Sequence, residues 1–222
     1  MGEDLGSVYY KLYNQVIFLH QRWLTYLELF ATEKSRIELL NESGSFFFYI
    51  VQKGLFENVV MSISRISDSE VSMGHKNLTM RMLPKFIQNI ELRNEIELQI
   101  KWHIEPAVSF AKELRNKRFG HEDFNISMGV SSLQEKSGIE HVEMALKSIR
   151  NLMNTIQKHF DGSTTIYKDG GHNINIGSLL GVLQNGKNAR DYLDKLRVIG
   201  EEPDAIFSRE FISTNVRHLE YD

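Results

Sequence analysis

Apolar residues recur along most of this chain at alternating steps of three and four, a spacing that permits little besides long helices. Leu12, Val16, Leu19, Trp23, Tyr26 and Phe30 fall on one stripe of a helix, with Ser7 as its expected N-cap. A stretch around Ile37, Leu39 and Leu40 runs to Gly44, where the chain can turn. Phe47, Ile50, Val51, Leu55, Val59, Ile63 and Ile66 then predict a second long helix ending near Ser67-Asp68. A third is expected from about Ile90 to Phe119, burying Ile96, Ile100, Ile104, Ala107, Phe110 or Ala111, and Leu114. Pro106 sits inside that pattern and predicts a kink or a restart, and Gly120 is a natural stop. Ser137 and Glu140 match a capping box opening a fourth helix through Val142, Leu146, Ile149, Met153, Ile156 and Phe160. Four long helices with mostly modest connections predict an all-α fold, an antiparallel up-and-down four-helix bundle.

The rest of the chain supplies shorter pieces. Residues 69–76 are polar around Gly74 and read as a loop. Asn77 is placed to cap a short helix carrying Leu78, Met82 and Leu83, with Pro84 disturbing its continuation. Residues 122–136 read as a loop. The segment 164–176, with Asp169-Gly170-Gly171 at its centre, fits a short hairpin or an irregular loop. Leu179, Leu180, Leu183, Tyr192, Leu193 and Leu196 predict one or two further helices broken near Gly186, and the tail from Gly200 an extended arm. The expected organisation is therefore a helical bundle over 1–160 and a C-terminal extension over 161–222.

Composition narrows the class. The chain has 222 residues, 41% hydrophobic and 25% charged, as in globular proteins with a real core. No uninterrupted apolar run approaches the roughly 18 residues that suggest a membrane span, and Met1-Gly2-Glu3-Asp4 has no signal-peptide character, so no membrane partner is expected. The absence of cysteine excludes disulfides, thiol nucleophiles and thiolate metal sites, and fits a cytoplasmic location. A formal net charge of −3 argues against non-specific coating of nucleic acid while leaving room for a local basic cleft.

Such a spot occurs at the end of the third helix. From Lys112 to His121 the chain carries Lys112, Arg115, Lys117 and Arg118 against Glu113, a local charge of +4 − 1 = +3. A guanidinium can grip a phosphate through two parallel hydrogen bonds, and an imidazole can move a proton near neutral pH. Residues six apart in an ideal helix diverge by about 120°, so Arg115 and His121 converge only if Gly120 breaks the helix. In an unbroken helix Arg118, three residues away, is the neighbour of His121. The competing reading is structural: helix C-termini attract cations through their partially negative dipole end.

Leu114-Arg115-Asn116-Lys117-Arg118-Phe119-Gly120-His121 resembles the hallmark of the HEPN superfamily: an Arg, a polar residue, then a short spacer to a His at a helix end. Ser64-Arg65-Ile66-Ser67-Asp68, followed by Asn77-Leu78-Thr79-Met80, is similar to a second marker of the abortive-infection, AbiU-type branch. The resemblance covers roughly residues 7–160. It implies a metal-independent endoribonuclease, often a toxin or anti-phage effector, in which two copies of the motif face one cleft of a homodimer. Carried onto this chain, Arg115 would neutralise the scissile phosphate, His121 would act as general base or acid, and Asn116 would orient one of them. Arg118, Lys117, Lys112 and Arg65 would touch the RNA, and no cofactor is implied. An antitoxin or regulatory protein is a further implied partner, and a non-catalytic module binding nucleotide, RNA or protein is the alternative.

Other features carry less. The remaining histidines are scattered, with no pair at helical metal-ligand spacing, so no metal is expected. For Arg65 and Asp68 a local salt bridge closing the helix weighs more than a shared phosphate contact. Phe46-Phe47-Phe48 reads as core or dimer interface before it reads as a base-stacking platform.

Overall fold

The computed structural model describes residues 1–72, 74–116, 138–167 and 176–199. The fold is all-α apart from one two-residue ladder among the described residues. Helix α1 spans Glu3–Phe30, α2 Lys34–Ile66, α3 Leu83–Phe86, α4 Ile90–Gln99, α5 Glu105–Leu114, α6 Gly138–Asp161 and α7 Ile176–Ile199. Helix α1 begins four residues before the predicted cap: Gly2 occupies the N-cap, and Glu3 and Asp4 place negative charge in the first turn. Ser7 therefore lies inside the helix.

The chain divides into two compact units. The first comprises Met1–Thr32 and residues 47–174; the second comprises Glu33–Phe46 and the chain after 174, of which 176–199 is described. Both include part of α2, whose helical geometry is interrupted at Gly44, the turn expected there.

The first unit has one contiguous core drawn from α1, the C-terminal half of α2, the α4–α5 rod and α6. Leu12, Val16 and Leu19 meet Val59, Ile63, Ile96, Ala111, Leu146 and Ile149 there, all buried. Side-chain hydrogen bonds join the first and last rods. The Tyr9 hydroxyl donates to the Met153 carbonyl at 3.2 Å, and Trp23 Nε1 donates to Glu143 Oε1 at 2.6 Å. Phe160 departs from its predicted stripe: at 37% exposure it has left the core near the end of α6. Of Phe46, Phe47 and Phe48 only Phe48 is buried.

Pro106 does restart the third rod. A π-helical turn, Ile100–Ile104, separates α4 from α5, and Pro106 falls in the first turn of α5. Its missing N–H cannot serve an internal α-helical bond, and a wider turn before it absorbs the loss. Buried Ile100 and Ile104 bracket the turn, leaving Lys101, Trp102 and His103 exposed.

Three connections differ from expectation. Within 69–76, read as a loop, β1 (Val71–Ser72) pairs antiparallel with β2 (His75–Lys76). Gly74, at φ +81°, supplies the left-handed position the tight turn needs. Asn77 does not cap a helix; its amide donates to the Ser69 carbonyl, and Thr79 precedes a 3₁₀ turn at Met80–Met82. Pro84 opens α3 instead of disturbing it, since the first turn of a helix tolerates a missing N–H. Finally, α7 runs unbroken through Gly186. Within the second unit Lys187 Nζ and Glu42 Oε2 form an ion pair at 2.6 Å. The predicted hairpin falls mostly outside the described residues, and 164–167 carry no strand. Ser137, the 122–136 segment and the tail from Gly200 also lie outside them.

Candidate functional site

The C-terminal end of α2 is the point on which the site is built. Ser67 and Asp68 continue its last turn, Ser67 N donating to the Ser64 carbonyl at 3.2 Å and Asp68 N to the Arg65 carbonyl at 3.3 Å. The last carbonyls of a helix lack internal partners and carry partial negative charge, and cations from two other elements meet them. Lys112, on α5, donates from Nζ to the Ser67 carbonyl at 3.2 Å, and Arg81, in the 3₁₀ turn, donates from Nε to the same oxygen at 3.4 Å. Arg81 is held from its other side by Glu105 at 2.7 Å.

Arg115 follows α5 directly, with helical backbone angles. Its Nη1 donates to Asp68 Oδ2 at 2.5 Å, with both side chains 29% exposed. Its Nε donates to Asn116 Oδ1 at 3.2 Å. A guanidinium has five N–H donors, so 5 − 2 = 3 remain without a partner among the described residues. The carboxylate fixes the plane and direction of the guanidinium while leaving donors available for a second anion.

Arg81, Lys112 and Arg115 against Asp68 and Glu105 sum to +3 − 2 = +1. Burial pushes the Lys112 ammonium below the ordinary lysine range, and Arg81 adds to the shift. An anion placed beside Lys112 would oppose both effects, since it favours the charged ammonium.

Among the sequence-predicted residues, Arg115 and Asn116 bond to each other, whereas the amide was expected to orient the histidine or the phosphate. Lys112 reaches the same region, but its ammonium is engaged with the end of α2 and is not simply solvated. Arg65 is exposed and makes no ion pair with Asp68. The local bridge expected between them is replaced by the pairing of Asp68 with Arg115, forty-seven residues away. His121, Lys117 and Arg118 lie outside the described residues. No group of three or more metal-capable side chains occurs among the described residues.

The pairing of Asp68 with Arg115 joins the two segments that resembled family markers, 64–68 and 114–121. A family model for the AbiU2 type of HEPN domain matches residues 2–203. The chain belongs to the HEPN AbiU2 family. The match runs well beyond the expected 7–160, so it takes in the whole of α7 and all of the second unit that is described, along with the helical core. No curated protein matches the chain, and no solved structure does. As an AbiU2-type HEPN protein the chain is a module of the abortive-infection class.

Sequence reasoning missed Arg81, Glu105 and the part played by the Ser67 carbonyl. Ser67 acts through its backbone carbonyl, which no side-chain pattern reports. Arg81 and Glu105 are brought to it by the packing of the 3₁₀ turn and α5, and neither lies at a fixed spacing from the hallmark.

Proposed function

We propose that this AbiU2-type HEPN protein is a metal-independent endoribonuclease of the cytoplasm, acting in phage defence or growth arrest. The observation that carries the reading is the Asp68–Arg115 ion pair, which orients a half-buried guanidinium and leaves part of its donor fork open. Arg115 grips the non-bridging oxygens of the scissile phosphate. His121 takes the proton of the ribose 2′-hydroxyl as that oxygen attacks phosphorus, and the 5′-oxygen leaves with a proton from the paired site. The products are a 2′,3′-cyclic phosphate and a 5′-hydroxyl end. Asn116, already bonded to Arg115, steadies the guanidinium, and Lys117, Arg118 and Arg65 contact the flanking backbone. The active form is a homodimer presenting two motifs to one strand, restrained by an antitoxin or regulatory protein until triggered.

Purified protein is expected to cut RNA in EDTA. Arg115→Ala lowers the rate by about 10²–10³-fold through loss of transition-state charge stabilisation, and His121→Ala by about 10²–10⁴-fold. Equal cutting by both variants and the native chain refutes the assignment.

One observation favours a second reading. Asp68 neutralises Arg115, as a purely structural ion pair would, and in that case the protein is a non-catalytic HEPN module that binds nucleotide, RNA or a partner. Binding of RNA without cleavage between pH 5 and 9 selects it.

A further inference from the structure

A second basic surface lies at the other end of α5, roughly 15–20 Å from Arg115 by the rise of the helix. A groove of about 700 Å³ runs between the π-helical turn with the start of α5 on one wall and α6 on the other. Lys147, Asn151 and Lys158 line it from one face of α6, at steps of four and seven. Trp102 and His103 stand on the opposite wall. Among the described residues no Asp or Glu lines it, in a chain whose acids outnumber its Lys and Arg by 29 to 26. The Lys147 and Lys158 ammonium groups, the Asn151 amide and the His103 ring have no side-chain hydrogen bond or ion pair among the described residues.

Trp102 is the decisive residue. The other tryptophan, Trp23, is 2% exposed; Trp102 is 62% exposed and has Lys101 Nζ 5.0 Å from its ring centroid. An indole held on a rigid turn, with cations beside it and amide groups across a groove, offers a nucleobase a stacking face and its phosphates a counter-charge. The π-helical turn gives this exposure a structural cause, because its buried isoleucines point three consecutive side chains outward.

We infer that this groove is an accessory subsite for single-stranded RNA, taking a base on Trp102 and the adjoining backbone along Lys147 and Lys158. The inference rests on RNA being the ligand of the Arg115 site and extends that site's grip along the strand. It assigns no catalytic role to the groove.

The test uses the full chain and a 2′-O-methyl single-stranded oligonucleotide, which binds without being cut. Binding is followed by anisotropy of a label on the oligonucleotide and by intrinsic tryptophan emission. Saturation is expected to quench Trp102. Trp102→Ala weakens binding about five- to hundredfold, and Lys147→Gln with Lys158→Gln flattens the log–log salt dependence by about 1.4, from two backbone contacts. Both variants replace exposed side chains, and their unchanged helical circular dichroism certifies the fold. Unaltered affinity, salt slope and emission overturn the inference, as does equal quenching by polyglutamate, which marks a surface for acidic proteins.

Cleavage is scored separately. A long RNA should show a raised KM with Trp102→Ala, while a substrate too short to bridge the two sites is cut as by the native chain. Quenching without any cleavage overturns the nuclease reading alone. Cleavage indifferent to Trp102 at every substrate length overturns the groove alone.

Discussion

Removing the Asp68 carboxylate frees Nη1 of Arg115 without touching any group that reaches the substrate. Asp68→Ala should therefore lower kcat for RNA cleavage by up to about a hundredfold, the cost of an ångström-scale misplacement, with little change in KM. Asp68→Asn, which keeps an acceptor oxygen, should restore part of it. Stability should fall by less than about 1 kcal/mol, since both partners are partly solvated. A loss of melting temperature that tracks the loss of activity would instead make Asp68 a fold residue. The ion pair also marks how far sequence reading reaches at this scale. Arg115 and Asn116 stand out in the sequence because their order is local. The partner of Arg115 was not, because three residues of separation made Arg65 look like the natural mate of Asp68, and only packing brings α5 against the end of α2.

Periodicity was a sound guide to the elements wherever burial enforces it. The stripes through Leu12, Val16, Leu19 and Trp23, and through Val142, Leu146, Ile149 and Met153, are buried as read. It failed where one residue's backbone rules: Gly74 turns a supposed loop into a hairpin, and Pro84 starts a helix it was expected to disturb. Spacing also could not separate a buried position from a spent one at a helix end, as Phe160 demonstrates. Ile149→Ala should cost about 2–5 kcal/mol in urea unfolding, whereas Phe160→Ala, on the same stripe, should cost no more than about 1 kcal/mol. Comparable losses from the two would mean that the end of α6 packs as tightly as its middle. The apolar middle of α2 belongs to this scale too. By length and composition it could cross a membrane, with 22% of its most apolar window buried; Lys53 and Glu57 interrupt it, and burial is confined largely to its C-terminal part, at Val59, Val60, Ile63 and Ile66.

For the molecule as a whole, two buried phenols are expected to lower stability at alkaline pH. Burial is the main reason the Tyr9 hydroxyl is pushed up to about 12, and burial raises Tyr167 further in the same direction. The folded chain thus keeps protons that the unfolded chain releases near pH 10. Stability from these groups is complete below pH 10 and drains away as pH climbs toward 12. Urea midpoints taken from pH 9 to 12 should fall across that window, and Tyr9→Phe should make the decline shallower; an equally steep fall in that variant would assign the limit elsewhere. The bond from Tyr9 to Met153 has another consequence, because its partners are 144 residues apart. At about 5–20 residues per second of synthesis, α1 leaves the ribosome some 7–30 s before the strip of α6 that covers it. A nascent chain therefore spends that interval with an uncovered apolar flank, and this part of the core closes only after α6 has been made.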